Sequence, residues 1–217
     1  MSVKLYKADA SPAARAAMMA CDLLQIPVKM VDVNLMAGEH MSPEYLKKNP
    51  LHTVPVLEVG SVTIIDSHAI LMYLADAYGK NDAAYPKDTK QRALVNQRLF
   101  FECAVLFNRL RNVSLPAFVE GQRKVSEAKL KDIEEAYGFV EEFLTRTKFV
   151  ATNQLTIADL SVAATFSSLS LMLPHDAKKY PKTEAWLKEL QKQPFYKKYN
   201  EPGLNMYGEL LRNILDL

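Results

Sequence analysis

The sequence predicts an α/β domain over residues 1–78, a linker over residues 79–88 and an all-helical domain over residues 89–217. Three observations support this division. Short strand-like and helix-like segments alternate in the first part of the chain. Polar residues and residues that interrupt helices and strands are then concentrated in the linker, which begins at Gly79 and contains Pro86. Beyond the linker, apolar residues recur only at helical spacing, so we expect no strand there.

The α/β domain is expected to begin with a strand, a helix and a second strand. The strands are predicted at residues 3–7 and 28–33, and the helix at residues 12–24. Pro12 suits the first helical position, where its missing N–H would have no partner within the helix. A short helix is predicted next, at residues 43–48.

The second half of this domain is expected to contain two strands and a helix. Gly60 separates strands predicted at residues 56–59 and 61–65, and the helix follows at residues 67–78. Pro55 cannot donate a ladder hydrogen bond, so it indicates the start of a strand. The resulting order, βαβ followed by ββα, implies a mixed sheet with helices packed on it and resembles a thioredoxin-like domain.

A capping motif marks the start of one helix in the all-helical domain. Thr156 stands three residues before Asp159, and Leu155 and Leu160 are spaced as a hydrophobic staple. We therefore expect Asp159 to start a core helix rather than to take part in chemistry. Apolar residues at helical spacing mark two further helices: Leu99, Cys103, Phe107 and Leu110 in one, and Ile133, Ala136, Val140 and Leu144 in the other.

Composition excludes several classes of function. The 217 residues are 49% hydrophobic and 24% charged, with a net charge of +2, which is too small to indicate a nucleic-acid partner. Cys21 and Cys103 form no C-x-x-C motif, so neither a dithiol redox site nor a zinc site is indicated. The N-terminus lacks an apolar signal core and no apolar stretch is long enough to span a membrane, so we expect a cytoplasmic protein.

Two short motifs together predict a site for a small anionic peptide. If the Val54–Pro55 bond is cis, the backbone of Val54 is left free to pair with an extended ligand. Asp66 and Ser67 precede an apolar helix, whose free N–H groups favour a carboxylate. Taken singly, each motif is weak, because most X-Pro bonds are trans and most Asp-Ser pairs before a helix are ordinary caps.

Ser11 allows two interpretations. Its hydroxyl can cap the first helix, or it can donate a hydrogen bond to an anion bound over the helix terminus. The residues alone leave both open. The predicted sheet favours the second, because Ser11, Pro55 and Asp66 would lie along one edge of it.

Several segments are similar to cytosolic glutathione S-transferases, most of all to the insect epsilon and delta classes, with the epsilon class favoured. They are residues 9–15 (Asp-Ala-Ser-Pro-Ala-Ala-Arg), 34–40, 49–55 (Asn-Pro-Leu-His-Thr-Val-Pro) and 66–70 (Asp-Ser-His-Ala-Ile). Residues 96–99 and 155–159 extend the resemblance into the helical domain. It thus spans nearly the whole chain.

The resemblance implies a homodimeric enzyme that joins glutathione, as co-substrate, to hydrophobic electrophiles in detoxification, without a metal or a permanently bound cofactor. Ser11 resembles the catalytic serine that stabilises the glutathione thiolate. The resemblance also assigns residues to two binding regions. The glutathione region comprises His40, His52, Val54, Pro55, Asp66, Ser67 and Arg111, and the hydrophobic region comprises Phe107, Leu110, Phe118, Tyr207 and Leu210.

Two positions depart from the family pattern and keep a second function open. Ala10 stands where delta-class enzymes carry their serine, and Leu51 stands where glutamine is common. A carrier or interaction protein with the same fold and no catalysis is therefore the alternative. A thiol-dependent reductase is disfavoured, because Cys21 lies deeper in the first helix than that chemistry requires. We expect His68 to be a structural or surface residue.

Overall fold

The computed structural model describes residues 3–216 and begins with one four-stranded mixed sheet. The strand order is β2-β1-β3-β4, with β1 parallel to β2 and the other pairs antiparallel. This confirms the predicted βαβ-ββα order, and β2 and β4 are shorter than expected by a residue or two at their ends. The elements are β1 Val3–Lys7, α1 Pro12–Leu23, β2 Lys29–Asp32, α2 Pro43–Lys48, β3 Val56–Val59, β4 Val62–Ile65 and α3 Ser67–Tyr78.

The sheet is covered on both faces. In β1, Val3 and Leu5 are buried alternately with half-buried neighbours, and Leu5 pairs with Leu57 of β3. Their side chains join the main hydrophobic core together with the buried faces of α1 and α3. On the opposite face, Tyr45 of α2 packs in a smaller cluster with Val56. Both faces of the central strands β1 and β3 are therefore covered by packed side chains.

The rest of the described chain is helical, as predicted. Residues 89–216 contain no strand, and α7 is buried at every position, which makes it the central helix. Two π-helical turns, Glu102–Leu106 and Tyr196–Asn200, lead directly into the helices that follow them. The helices are α4 Thr89–Phe101, α5 Phe107–Glu120, α6 Glu127–Arg146, α7 Ile157–Leu169, α8 Pro181–Gln191 and α9 Glu201–Ile214.

The capping motif is present at the start of α7. The Asp159 carboxylate accepts the Thr156 N–H at 2.8 Å and completes the predicted capping box. It also accepts the Val150 N–H at 2.9 Å and the Trp186 indole N–H at 3.0 Å, two contacts the sequence did not indicate. Burial raises the pKa of Asp159 to about 6 against these hydrogen bonds. Asp159 therefore joins three separate segments of the helical domain.

Helix α1 packs against α7 and links the sheet to the helical domain. Arg15 of α1 is fully buried, and its guanidinium donates to the Ala164 carbonyl at 3.1 Å and to the Ser168 hydroxyl. Burial lowers the pKa of Arg15 to about 10, so it stays charged at neutral pH. Among residues 3–216, no helix combines the length and apolar character needed to cross a bilayer.

Candidate functional site

A cavity of about 830 Å³ opens between the α/β part and the helical part of the molecule. One wall is formed by the loop between β1 and α1 and by the residues that follow β2. Helices α5 and α9 form the opposite wall. Eight residues predicted for the site line it together, namely Ser11, His40, Phe107, Leu110, Arg111, Phe118, Tyr207 and Leu210.

Ser11 is the N-cap of α1 and is half-buried at the wall of the cavity. Its Oγ accepts the Ala14 N–H at 3.3 Å, and Pro12 occupies the first turn as expected. The oxygen serves the helix as an acceptor, so the hydroxyl hydrogen remains able to donate elsewhere. The two interpretations that the sequence left open are thus chemically compatible.

The peptide bond between Val54 and Pro55 is cis, as the sequence interpretation required. Val54 lies just before β3, outside the paired residues of the sheet. In the described part of the chain, its N–H and C=O make no hydrogen bond to another backbone group. Asn49, fully buried, holds the preceding loop by donating to the Thr53 carbonyl at 2.9 Å. The backbone of Val54 can therefore pair with an added extended segment.

Asp66 is the N-cap of α3, with Ser67 buried in the first turn behind it. Its carboxylate accepts the N–H groups of His68 at 2.8 Å and Ala69 at 3.2 Å. Asp66 has a φ of 72°, a conformation that costs free energy for a residue with a side chain. The hydrogen bond from the His68 side chain is the main cause that lowers the pKa of Asp66, so it is ionised at neutral pH.

Five predicted residues lie outside the lining of the cavity: His52, Val54, Pro55, Asp66 and Ser67. His52 connects the two groups, because its ring centroid lies 6.3 Å from that of His40 at the cavity wall. The predicted site therefore divides into a cavity and an adjoining strip of backbone and helix terminus.

His68 has a role that the sequence analysis left undefined. Its Nε2 lies 2.6 Å from the Glu102 carboxylate and 3.2 Å from the Ser161 hydroxyl, and its Nδ1 lies 3.4 Å from the Asp66 carboxylate. Burial by itself would lower the pKa of His68, but the hydrogen bonds to the two carboxylates raise it to about 9. His68 is thus a structural residue, as expected, and it connects Asp66 to the helical domain.

Glu102 is a part of this cluster that sequence reasoning missed. It is buried in the π-helical turn after α4, and its carboxylate also accepts a hydrogen bond from the Thr165 hydroxyl of α7. In the sequence, Glu102 resembles any acidic residue of a helix surface, so no local signal identified it. By contrast, Cys21 is buried and burial raises its pKa to about 12, which agrees with the prediction that it is not a nucleophile.

Family models describe both parts of the chain. The model of the glutathione S-transferase N-terminal domain matches residues 5–82, and that of the glutathione S-transferase C-terminal domain matches residues 110–203. These matches and the two-part fold define the class of protein.

Individual relatives agree over almost the full length. Glutathione S-transferase 1 of Manduca sexta is 42% identical, covering 99% of this chain and 100% of its own. An epsilon-class glutathione S-transferase structure from the housefly Musca domestica superposes with a TM-score of 0.96 at 44% identity, over 98% of each chain. A glutathione transferase homologue from Drosophila mojavensis, solved with bound glutathione, superposes with a TM-score of 0.96 at 45% identity, over 99% of this chain and 98% of its own. The chain belongs to the glutathione S-transferase family.

Proposed function

We propose that the protein is a cytoplasmic glutathione transferase in which Ser11 stabilises the glutathione thiolate for attack on a hydrophobic electrophile. The observation that carries the proposal is the position of Ser11, which caps α1 and lines the cavity at the same time. A hydroxyl there can donate to a sulfur that sits over the helix N-terminus, where the helix dipole also favours negative charge. The free thiols of Cys21 and Cys103 suit a reducing compartment.

The required stabilisation is within reach of these groups. A free thiol with a pKa of about 8.5 is only about 3% thiolate at pH 7, and the thiolate is the nucleophile. Lowering the pKa by about two units makes about three quarters of it reactive, at about 2.7 kcal/mol of differential stabilisation. A hydrogen bond to a charged group contributes about 1.5 to 3 kcal/mol. A hydrogen bond from Ser11, together with the helix terminus, can therefore supply the stabilisation that the thiolate requires.

The strip beside the cavity suits the rest of glutathione. The free backbone of Val54 would pair with the cysteinyl residue, and the Asp66 carboxylate would bind the amino group of the γ-glutamyl end. Ser67, in the first turn of α3, would present its N–H to the neighbouring carboxylate. His52 would lie near the cysteinyl and glycyl parts, and His40 and Arg111 would be polar residues of the pocket lining.

The electrophile would occupy the part of the cavity lined by apolar side chains of α5 and α9. Those side chains are Phe107, Leu110 and Phe118 of α5, with Tyr207 and Leu210 of α9. Burial raises the pKa of Tyr207 to about 12, so its hydroxyl is neutral at physiological pH. An apolar wall of this kind beside the sulfur favours hydrophobic electrophiles of the kind handled in detoxification.

We also propose a homodimer. Support comes from apolar side chains that stand exposed on α4 and on the loop before β3, among them Phe100 at 65% and Leu51 at 59% exposure. Large apolar side chains left exposed in this way are candidates for a contact with a second copy of the chain. Analytical ultracentrifugation of the wild-type protein tests the assembly.

The experiment for Ser11 compares Ser11→Ala with a matched serine variant. Ser114 also lines the cavity, but its hydroxyl donates within its own helix to the Leu110 carbonyl at 2.9 Å. With a generic aryl halide and glutathione, we expect Ser11→Ala to lower kcat/KM by about 10- to 150-fold, the equivalent of one charge-assisted hydrogen bond. Ser114→Ala should stay close to wild type. Equal activity in wild type and Ser11→Ala would contradict the catalytic role.

Glutathione-agarose separates catalysis from binding. Retention of both serine variants on the resin is expected, because the contacts of Val54 and Asp66 do not involve Ser11. Failure of the wild-type protein to bind glutathione, with an apolar fluorescent probe still taken up, would instead favour a carrier on the same fold.

A further inference from the structure

The first turn of α9 touches the loop that carries Ser11, and the contact is made at Gly203. A β-carbon at this position would lie 2.1 Å from the carbonyl oxygen of Asp9 and 2.7 Å from Cδ of Arg15. Real β-carbons essentially never approach other atoms closer than 3.0 Å. Any other residue at position 203 therefore requires α9 and the backbone of Asp9 to move relative to each other.

The close approach of α9 to the Asp9 carbonyl explains why position 203 holds a glycine. Gly203 is buried and its φ is not positive, so it does not serve a left-handed turn. Glycine in a helix is less favourable than alanine, which makes a glycine inside α9 informative. At position 203, glycine allows α9 to contact the β1–α1 loop closely.

The loop has little freedom to move away from such a contact without moving Ser11. The Ser11 N–H donates to the Ala8 carbonyl at 3.0 Å, so Asp9 lies inside a tight turn that ends at Ser11. The Asp9 carboxylate is paired with Lys7 at 2.7 Å. On the other side of the loop, Arg15 ties α1 to α7 through the Ala164 carbonyl. The turn is thus held between β1, α7 and α9.

We infer that Gly203 is a positioning residue for Ser11. By letting α9 touch the Asp9 carbonyl, it sets where the Ser11 hydroxyl lies relative to the glutathione sulfur. The inference rests on the proposed function of Ser11. It also connects two regions of the cavity, because α9 supplies Met206, Tyr207 and Leu210 to the wall opposite Ser11.

The test uses two glycines of the same helix. Gly208 is also buried in α9, but a β-carbon there would lie 3.5 Å from Leu171, an ordinary contact. Gly203→Ala and Gly208→Ala therefore add the same methyl group and the same helix propensity, and only the first displaces the loop. The pKa of the bound glutathione thiol, read from the ultraviolet absorbance of the thiolate against pH, reports the position of Ser11 directly.

We expect Gly203→Ala to raise the pKa of the bound thiol by about one unit and to lower kcat/KM by about 10- to 100-fold, since a misplacement of about 1 Å costs on that order. The dissociation constant of glutathione should change little, because Val54 and Asp66 are elsewhere. Gly208→Ala should match wild type in all three quantities. A wild-type thiol pKa in Gly203→Ala, or an equal rise in Gly208→Ala, would overturn the inference.

Ser11→Ala, measured in the same way, distinguishes the two proposals. If it leaves the thiol pKa unchanged, the proposed function of Ser11 fails. If it raises that pKa and Gly203→Ala does not, only the positioning inference fails. Should Gly203→Ala not fold, Arg15→Lys replaces it: the side chain that packs against Gly203 keeps its charge but loses Nη2, which donates to both the Ala164 carbonyl and the Ser168 hydroxyl of α7. A rise of the thiol pKa in this variant supports the inference, and a wild-type value overturns it.

Discussion

Replacing His68 by glutamine removes a buried positive charge from between two carboxylates. In the wild type, the His68 ring contacts Glu102 at 2.6 Å and Asp66 at 3.4 Å, and its side chain is only 12% exposed. Glutamine keeps some hydrogen-bonding capacity but cannot become charged. Wild type and His68→Gln should therefore differ in the size of their free energy of unfolding and also in how that free energy depends on pH.

The magnitude follows from the pKa of His68, which is raised from 6.5 to about 9 in the folded protein. At about 1.36 kcal/mol per unit, this shift corresponds to about 3 kcal/mol of stability. Because the folded pKa is the higher one, the contribution is complete below pH 6.5, the unfolded value, and is lost as the pH rises through about 9. The extra stability of wild type over His68→Gln should thus be lost between pH 6.5 and about pH 9.

Equilibrium unfolding in urea at a series of pH values measures this loss. The chain has a single tryptophan, Trp186, which is buried and serves as the fluorescence reporter. We expect the difference in the free energy of unfolding between wild type and His68→Gln to narrow by about 3 kcal/mol from pH 6.5 to above pH 9. In a Glu102→Gln background one of the two carboxylates is lost, so the narrowing caused by His68→Gln should be smaller and should end at a lower pH.

A constant difference between wild type and His68→Gln across the whole pH range would refute this reasoning. It would mean that the His68 ring is neutral in the folded protein and that Asp66 and Glu102 have no positively charged partner between them. A narrowing of similar size that stays at the same pH in Glu102→Gln would refute the part assigned to Glu102.

Two further substitutions separate binding from stability. Asp66→Asn keeps an equally good helix cap but removes the charge, so the KM for glutathione should rise by about 10- to 150-fold with kcat little changed. Steady-state kinetics at varied glutathione measure this, and a fall in kcat at constant KM would argue against it. Asp159→Asn leaves buried donors of Thr156 unpaired and should cost about 3 kcal/mol, or about 6 to 12 °C in Tm. Calorimetry that shows an unchanged Tm would contradict this.

Local sequence signals were enough to predict most of the fold. The helical capping box at Thr156 and Asp159, the proline before β3 and the change from alternating to helical spacing are each determined within a few residues. Each reflects a backbone requirement that the neighbouring side chains satisfy. The boundaries of β2 and β4 were less certain, because strand ends depend on pairing with β1 and β3, which lie elsewhere in the chain.

The site was predicted less completely, because its remaining contacts join distant segments. Helical spacing places Phe107 and Leu110 on an apolar face, but the same pattern suits a core and a cavity wall equally. Glu102 is buried only because α3 and α7 bring His68 and Thr165 to it. Such pairings follow from tertiary packing, so a single sequence carries no local trace of them.

The contact at Gly203 shows how one helix can serve two needs of the site. The buried side of α9 meets the Asp9 carbonyl in its first turn, and a later turn presents Met206 and Leu210 to the cavity. Met206 is exposed and Leu210 is half-buried, so both can change in size without entering the core. Substitutions at these two positions should therefore alter which electrophile fits while Ser11 stays in place. The same helix cannot change at position 203 without moving the loop that carries the serine. Gly203, Met206 and Leu210 stand at i, i+3 and i+7 and therefore share one face of α9. Their roles are separated along the helix axis, because a rise of about 1.5 Å per residue puts Met206 about 4.5 Å and Leu210 about 10.5 Å beyond Gly203.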